Sequence, residues 1–156
     1  ICQLRPESRG HIRIRSRDPL TPPEMQPNYL ATDLDRRTVV AGLKAARRIA
    51  QSPAMAPLIK REVKPGLETD SDEALLDFAR ETGATIFHPS GTCKMGPASD
   101  PMAVVDDRLR VRGVKSLRVI DCSAMPVLVS GNTNAGVIMM AEKAVDMIRE
   151  DAALKG

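Results

Sequence analysis

Aromatic side chains are nearly missing from this sequence: 156 residues include no Trp, one Tyr and two Phe. That does not fit a protein that stacks unpaired bases on rings. Neither sign of charge dominates, with 23 Lys and Arg against 20 Asp and Glu for a formal +3, so the footprint of a nucleic-acid protein is absent too. The cysteines are Cys2, Cys93 and Cys122, an odd number with no Cys-x-x-Cys pair. Neither a disulfide framework nor a zinc ribbon follows, no metal site is expected, and a reducing, cytoplasmic setting is. The longest mainly apolar run, Ala135–Ala141, falls far short of the ~20 residues of a membrane span. No Gly-x-Gly-x-x-Gly and no internal repeat occurs, so the chain has no dinucleotide fingerprint of its own. It opens Ile1-Cys2-Gln3-Leu4, without an initiator Met, which predicts a piece of a longer polypeptide.

What is present reads as a globular domain. Hydrophobic residues are 42% and charged residues 28% of the chain, and 156 residues are enough to bury a core without staples. His11–Arg17 alternates apolar and polar side chains, predicting a half-buried strand, with Arg9, Arg13, Arg15 and Arg17 mostly on one face. Asp18-Pro19-Leu20-Thr21-Pro22-Pro23 then breaks regular structure. Thr32 is a natural N-cap, Asp33 and Asp35 suit a first turn, and Val39, Leu43, Ala46 and Ile49 recur at helical spacing until Pro53 and Pro57. Ser71-Asp72-Glu73 opens a second helix with Leu75, Leu76, Phe78 and Ala79 on its apolar side and Gly83 at its stop. Both helices read as architecture.

From Gly83 the character changes. Thr85–His88 is β-prone and Pro89–Pro97 is a glycine- and proline-rich loop. Val104–Gly113 predicts two short extended pieces around a turn at Asp106-Asp107, and Leu117–Ile120 a further strand ending at Asp121. After the polar turn Ser130–Asn134, with Asn134 as N-cap, Val137, Ile138, Met140, Ala141, Ala144, Met147 and Ile148 predict the broad apolar stripe of a buried closing helix, with Met139 and Met140 in the core. Strands and helices do not alternate strictly, so the fold class is α+β.

Two places can carry chemistry. His88 stands at the entry of a loop of small residues, and an imidazole there can take a substrate proton, although position alone serves a structural role equally well. The segment Ser130–Ala135 ends on a helix N-terminus, whose unpaired N–H groups favour negative charge or simply complete a capped helix. His11, in the arginine-rich strand, reads as exposed and incidental. Gly91-Thr92-Cys93-Lys94-Met95-Gly96 has a P-loop's glycine spacing without its Gly-Lys-Ser/Thr ending.

Taken together, His88-Pro-Ser-Gly-Thr-Cys-Lys-Met-Gly, Val105-Asp-Asp-Arg-Leu-Arg-Val-Arg-Gly-Val, Leu117-Arg-Val-Ile-Asp-Cys-Ser-Ala-Met-Pro and Ser130-Gly-Asn-Thr-Asn-Ala, in that order, resemble the C-terminal portion of the glucose–methanol–choline (GMC) flavoprotein oxidoreductases, most closely the choline dehydrogenase-like alcohol dehydrogenases. Cys2–Gly10 also resembles that family's opening strand, so the likeness runs over nearly the whole chain. The resemblance implies that residues 1–156 form a single C-terminal domain. In it, a mixed or antiparallel sheet of the substrate-binding part packs on helices, and the last strand and helix return to an FAD-binding domain in the full protein. It implies oxidation of an alcohol to an aldehyde or ketone, with hydride passing to the flavin N5 of FAD. His88 matches the family's first catalytic position and Asn132 the second. Thr133, Asn134 and Ala135 match positions at the flavin ring; Asp121 and Cys122 match the strand end near the ribityl and pyrophosphate part of FAD.

The implied partners are a small alcohol and the N-terminal FAD-binding region of the same polypeptide, without which the isolated chain is expected to be inactive. Oxygen, a quinone or another carrier is left open as electron acceptor. The implied location is the cytoplasm, with the inner face of a membrane as the other setting. A choline-specific enzyme of the same family is the alternative. The loop Ser90-Gly91-Thr92 fits it less well, and three aromatics cannot build a quaternary-ammonium cage by themselves. A different class of reading is a basic module that uses the arginines of residues 5–17 on nucleic acid or a membrane surface.

Overall fold

The computed structural model describes residues 1–154, which divide into two compact units, the first Ile1–Thr85 and the second from Ile86 onward. Its regular elements are β1 (His11–Arg13), β2 (Glu24–Gln26), α1 (Asp33–Ala50), α2 (Asp72–Thr82) and α3 (Asn134–Ala153), with short 3-10 turns at Ala56–Leu58 and Cys122–Ala124.

In the first unit β1 and β2 pair antiparallel, with Ile12 opposite Met25. The strand expected over residues 11–17 is therefore cut to three residues, and it is exposed throughout rather than half-buried. Asp18 is the cause. Its carboxylate accepts from the N–H of Leu20 (3.0 Å) and its carbonyl from the N–H of Thr21 (3.1 Å), a local turn that competes with the ladder. His11 is exposed, 3.3 Å from Glu24.

Helix α1 begins where its cap predicts. Thr32 is extended (φ −93°, ψ 156°), and its hydroxyl accepts from the Asp35 N–H at 3.3 Å. Helix α2 repeats the device, the Ser71 hydroxyl accepting from the Ala74 N–H at 3.1 Å. The two helices pack together and bury Val40 and Leu75. Ala46 and Ile49 of α1 are exposed, so its apolar stripe is covered in part. Gly83 ends α2 in an extended rather than left-handed conformation, and a Cβ there would lie 2.4 Å from the Ala79 carbonyl oxygen. Two further groups tie loops to α1. The Arg47 guanidinium forks onto Glu62 (2.7 and 3.0 Å) and the Gly66 carbonyl (2.8 Å). Asp35, buried, accepts from Gln3 Nε2 (2.8 Å) and the N–H groups of Glu7 (2.9 Å) and Ser8 (2.8 Å).

The second unit has little regular structure besides α3. Its core is Val105, Leu109, Ala124, Met125, Met140 and Ala144. In place of the expected strands stand single bridges: Met95 with Val105, Val105 with Val111, and Arg110 with Arg118. Left-handed residues interrupt the extended runs. Phe87 (φ 59°) breaks the strand expected over 85–88, Leu109 (φ 62°) turns the chain between the paired pieces, and Ser116 (φ 60°) precedes the run at 117–120. Asp106 closes that turn by accepting from the N–H groups of Arg108 (2.9 Å) and Arg110 (3.0 Å).

Helix α3 is apolar on two faces, not one. Val137, Met140, Ala144 and Met147 face inward, with Met140 and Ala144 buried. One residue on, at the same 3-4-3 spacing and about 100° round the helix, Ile138, Val145 and Ile148 are exposed (54%, 41% and 41%) with Ala141 half-buried. Met139, expected in the core, is exposed as well. The expected broad stripe is real in sequence, but the unit's own core covers half of it. At the other end of the helix Arg108 donates to the Met147 carbonyl, Glu150 and Asp151, each at 2.9 Å, and Arg118 also pairs with Asp151. Cations at a helix C-terminus offset its partial negative charge.

Candidate active site

All seven residues singled out for catalysis or cofactor contact, His88, Asp121, Cys122, Asn132, Thr133, Asn134 and Ala135, lie in the second unit. Three segments carry them. His88 opens the loop that runs to Gly96 and is half-buried. Asp121 and Cys122 begin the Cys122–Ala124 turn. Asn132 to Ala135 form the entry to α3.

The middle segment joins the other two. The N–H groups of Gly91, Cys93 and Met95 donate to the carbonyls of Cys122 (3.2 Å), Ser123 (2.9 Å) and Ala124 (2.9 Å), so the His88 loop lies along the Cys122–Ala124 turn. Gly91 is left-handed (φ +81°), and a Cβ on it would stand 3.4 Å from the Met125 carbonyl oxygen. On the other side, a Cβ on Gly136 would stand 3.2 Å from the Met125 methyl, so the first turn of α3 rests on that side chain. Met125 itself is 4% exposed. The loop that begins at His88 and the helix entry that carries Asn132 are thus seated on one buried residue.

Asp121 turns its carboxylate onto its own chain, accepting from the N–H of Ser123 (2.7 Å) and its hydroxyl. Cys93 and Cys122 are half-buried free thiols. Asn132, Asn134 and Ala135 are exposed and Thr133 is buried. The helix cap is Thr133, not Asn134, which is the first helical residue. Thr133 has helical angles (φ −75°, ψ −18°), makes no side-chain capping bond, and accepts the Val137 N–H on its carbonyl at 2.9 Å. Asn134 is therefore carried one step into the helix, with its carboxamide on the surface. No acidic residue occupies the first turn, so its leading N–H groups meet no carboxylate of that turn.

Sequence reasoning passed over Met125 and the strained Phe87. The glycines at 91 and 136 are the only traces that Met125 leaves in the pattern. A left-handed phenylalanine leaves none.

Residues 6–141 match the family model described as GMC oxidoreductase. The chain is 47% identical over 148 residues to an alcohol dehydrogenase [acceptor] of Pseudomonas putida, covering 95% of this chain and 26% of that protein. It is 48% identical over 143 residues to an oxygen-dependent choline dehydrogenase of Staphylococcus aureus (strain JH9), covering 91% and 25%. Among solved structures, an FAD-dependent oxidoreductase from Chaetomium thermophilum superposes with a TM-score of 0.89 at 32% identity, over 96% of this chain and 26% of that one. This chain spans about a quarter of the length of the relatives it matches, and the Chaetomium thermophilum neighbour is described as FAD-dependent. No described helix is long and apolar enough to cross a membrane. On its sequence and on its fold, the chain belongs to the GMC oxidoreductase family.

Proposed function

We propose that this chain is the catalytic C-terminal part of an FAD-dependent enzyme that oxidises a primary or secondary alcohol to an aldehyde or ketone. The observation that carries the reading is the seating of the His88 loop and the α3 entry on the same buried methionine, Met125. When bound, FAD supplies the acceptor for hydride leaving the carbinol carbon. The His88 imidazole takes the hydroxyl proton, which makes that carbon a far better hydride donor. The Asn132 carboxamide donates a hydrogen bond to the alcohol oxygen as negative charge builds on it.

The residues present fit the flavin. A ring system that gains negative charge on reduction suits a helix end whose capping residue makes no side-chain bond and whose first turn holds no acid. Exposed Asn134 and Ala135 leave the approach open, and a Cβ at Gly131 would meet nothing within 4 Å. Thr133, Asn134 and Ala135 would hold the ring, and Asp121 and Cys122 the ribityl and pyrophosphate part. The exposed stripe of Ile138, Val145 and Ile148 is the surface by which α3 would return to an FAD-binding domain. In this reading residues 1–156 act as one C-terminal domain beside that region, the isolated chain neither retains FAD nor turns over, and the enzyme works in the cytoplasm or on the inner face of a membrane.

The name of the Staphylococcus aureus relative favours choline as a second reading. A quaternary ammonium is held by aromatic or acidic groups, and Phe87 is the one aromatic after residue 85. The general alcohol is therefore preferred.

The test is turnover in the FAD-loaded full-length protein. His88→Ala should lower kcat by about 10²–10⁴-fold with FAD retained, the usual range for a lost general base. Asn132→Ala should lower it by about 10²-fold, as for a lost hydrogen bond to a developing oxyanion. Unchanged turnover in His88→Ala would overturn the assignment.

A further inference from the structure

Gly136 lies in the first turn of α3, where alanine would suit the helix better. Its backbone is helical, so no left-handed angle calls for glycine there. Space does. A Cβ at Gly136 would stand 3.2 Å from the Met125 methyl and 3.9 Å from Val129 Cγ1, so the methyl is let into the first turn of the helix. Met125 is buried among Val105, Leu109, Ala124, Met140 and Ala144, all of the second unit, and its place does not depend on what lies outside that unit. A buried methionine loses more rotamer freedom than a leucine, but a leucine lacks the terminal methyl that reaches Gly136. A core built for stability alone would hold leucine at 125 and alanine at 136.

We infer that Met125 is a positioning residue: its thioether, seated against Gly136, fixes where the first turn of α3 stands relative to the His88 loop. The inference rests on the proposed function and adds to it the part that sets the geometry. The main chain beside Met125 holds the loop, through the carbonyls of Cys122, Ser123 and Ala124, and the Met125 carbonyl faces left-handed Gly91. The side chain holds the helix entry, with Asn134 and Ala135 directly before Gly136. Proton acceptor and flavin-holding helix end are thus spaced by one residue. Met125 acts through them and touches neither the alcohol nor FAD.

Met125→Ala would open a cavity and confound spacing with lost stability, so the experiment instead moves one methyl across the contact. Gly136→Ala, Met125→Leu and the double variant are compared with the parent as full-length protein. The readouts are the FAD Kd of the apoprotein and the anaerobic rate of flavin reduction per bound FAD. The probe is whichever of benzyl alcohol, 1-hexanol and ethanol reduces the parent fastest. Gly136→Ala displaces the contact by a few tenths of an ångström. Since a 1 Å misplacement costs about 10²-fold, reduction at saturating alcohol should slow about fourfold, with the alcohol Kd within about twofold. The FAD Kd should rise about threefold, the scale of one weakened hydrogen bond. Met125→Leu should stay within about twofold of the parent, and adding it to Gly136→Ala should bring both readouts back to that range, because the alanine methyl fills the space the methionine methyl leaves. A merely structural contact would move Tm and leave the rate per bound FAD alone. A parent rate in Gly136→Ala, or a double variant as slow as that single one, overturns the inference. If His88→Ala reduces FAD slowly while Gly136→Ala does not, only this inference falls. If His88→Ala reduces FAD at the parent rate, the underlying function falls with it.

Discussion

Thr32 and Ser71 each turn a hydroxyl back onto an N–H of the helix they precede, and each is followed by two acidic residues in the first turn. Helix α3 has neither, although it is longer, at 20 residues against 18 and 11. The first unit closes its helix ends with its own side chains. In the second, the capping residue of α3 makes no side-chain bond to the helix and the first turn holds no acid. The same contrast runs through the carboxylates: Asp35 in the first unit is buried and fully engaged, whereas nothing acidic stands in the first turn of α3. A region that completes its own hydrogen bonds is architecture. A helix start without an acid of its own is, in the proposed reading, the place where the cofactor's negative charge is met.

The largest stability effect expected in the closed region belongs to Asp35. Burial alone would raise its pKa, but hydrogen bonds from Ser8, Glu7 and Gln3 outweigh that and lower it from 3.8 to about 2. A depressed carboxylate stabilises the fold above its unfolded pKa and loses that contribution as pH falls through the folded value. The contribution, about 2 kcal/mol, should therefore be intact above about pH 4 and drain away between about pH 4 and pH 2. Urea unfolding across that range tests it. In Asp35→Asn the amide would face three N–H donors, so the variant should lose about 1–3 kcal/mol at neutral pH and show a shallower acid slope. Equal slopes in parent and variant would remove Asp35 from the closed set.

The next effect is smaller and concerns the caps. Ser71→Ala removes the side-chain capping bond at the start of α2 and should cost about 1 kcal/mol. It should move the urea midpoint with no effect on FAD affinity in the full-length protein. A change in FAD binding would mean that the two helix ends do not play separate parts.

Those caps also mark how much of the molecule was legible in its sequence. Thr32 and Ser71 announce α1 and α2 because capping is a local bargain between one hydroxyl and one N–H. The strands were poorly legible. Alternation at His11–Arg17 and the β-prone run at 85–88 reflect side-chain type, but pairing is decided by partners and by left-handed residues such as Phe87, which composition does not encode. Helix α3 was placed correctly and half misread. Its apolar pattern spans two faces, and a sequence does not say which of them the chain itself will cover. The site positions His88 and Asn132 were found by resemblance to a family. Their common support, Met125, emerged only with the fold, because it joins segments more than 40 residues apart in sequence.

The smallest effect gives the sharpest separation of the two regions. Asn134→Asp places in α3 the kind of acid that α1 and α2 already hold in their first turns. In this chain by itself the new carboxylate meets the positive end of the helix and should stabilise by about 0.3–1 kcal/mol at low ionic strength, with the gain shrinking as salt is added. In the FAD-loaded full-length protein the same charge would face a flavin that gains negative charge on reduction. The FAD reduction potential should therefore fall, and FAD should bind more weakly, while the apoprotein stays as stable as the parent or more so. One substitution thus moves stability and cofactor binding in opposite directions, which a purely architectural helix end would not do. If Asn134→Asp stabilises the chain and leaves both FAD affinity and reduction potential unchanged, the open end of α3 is only a helix that lacks a cap.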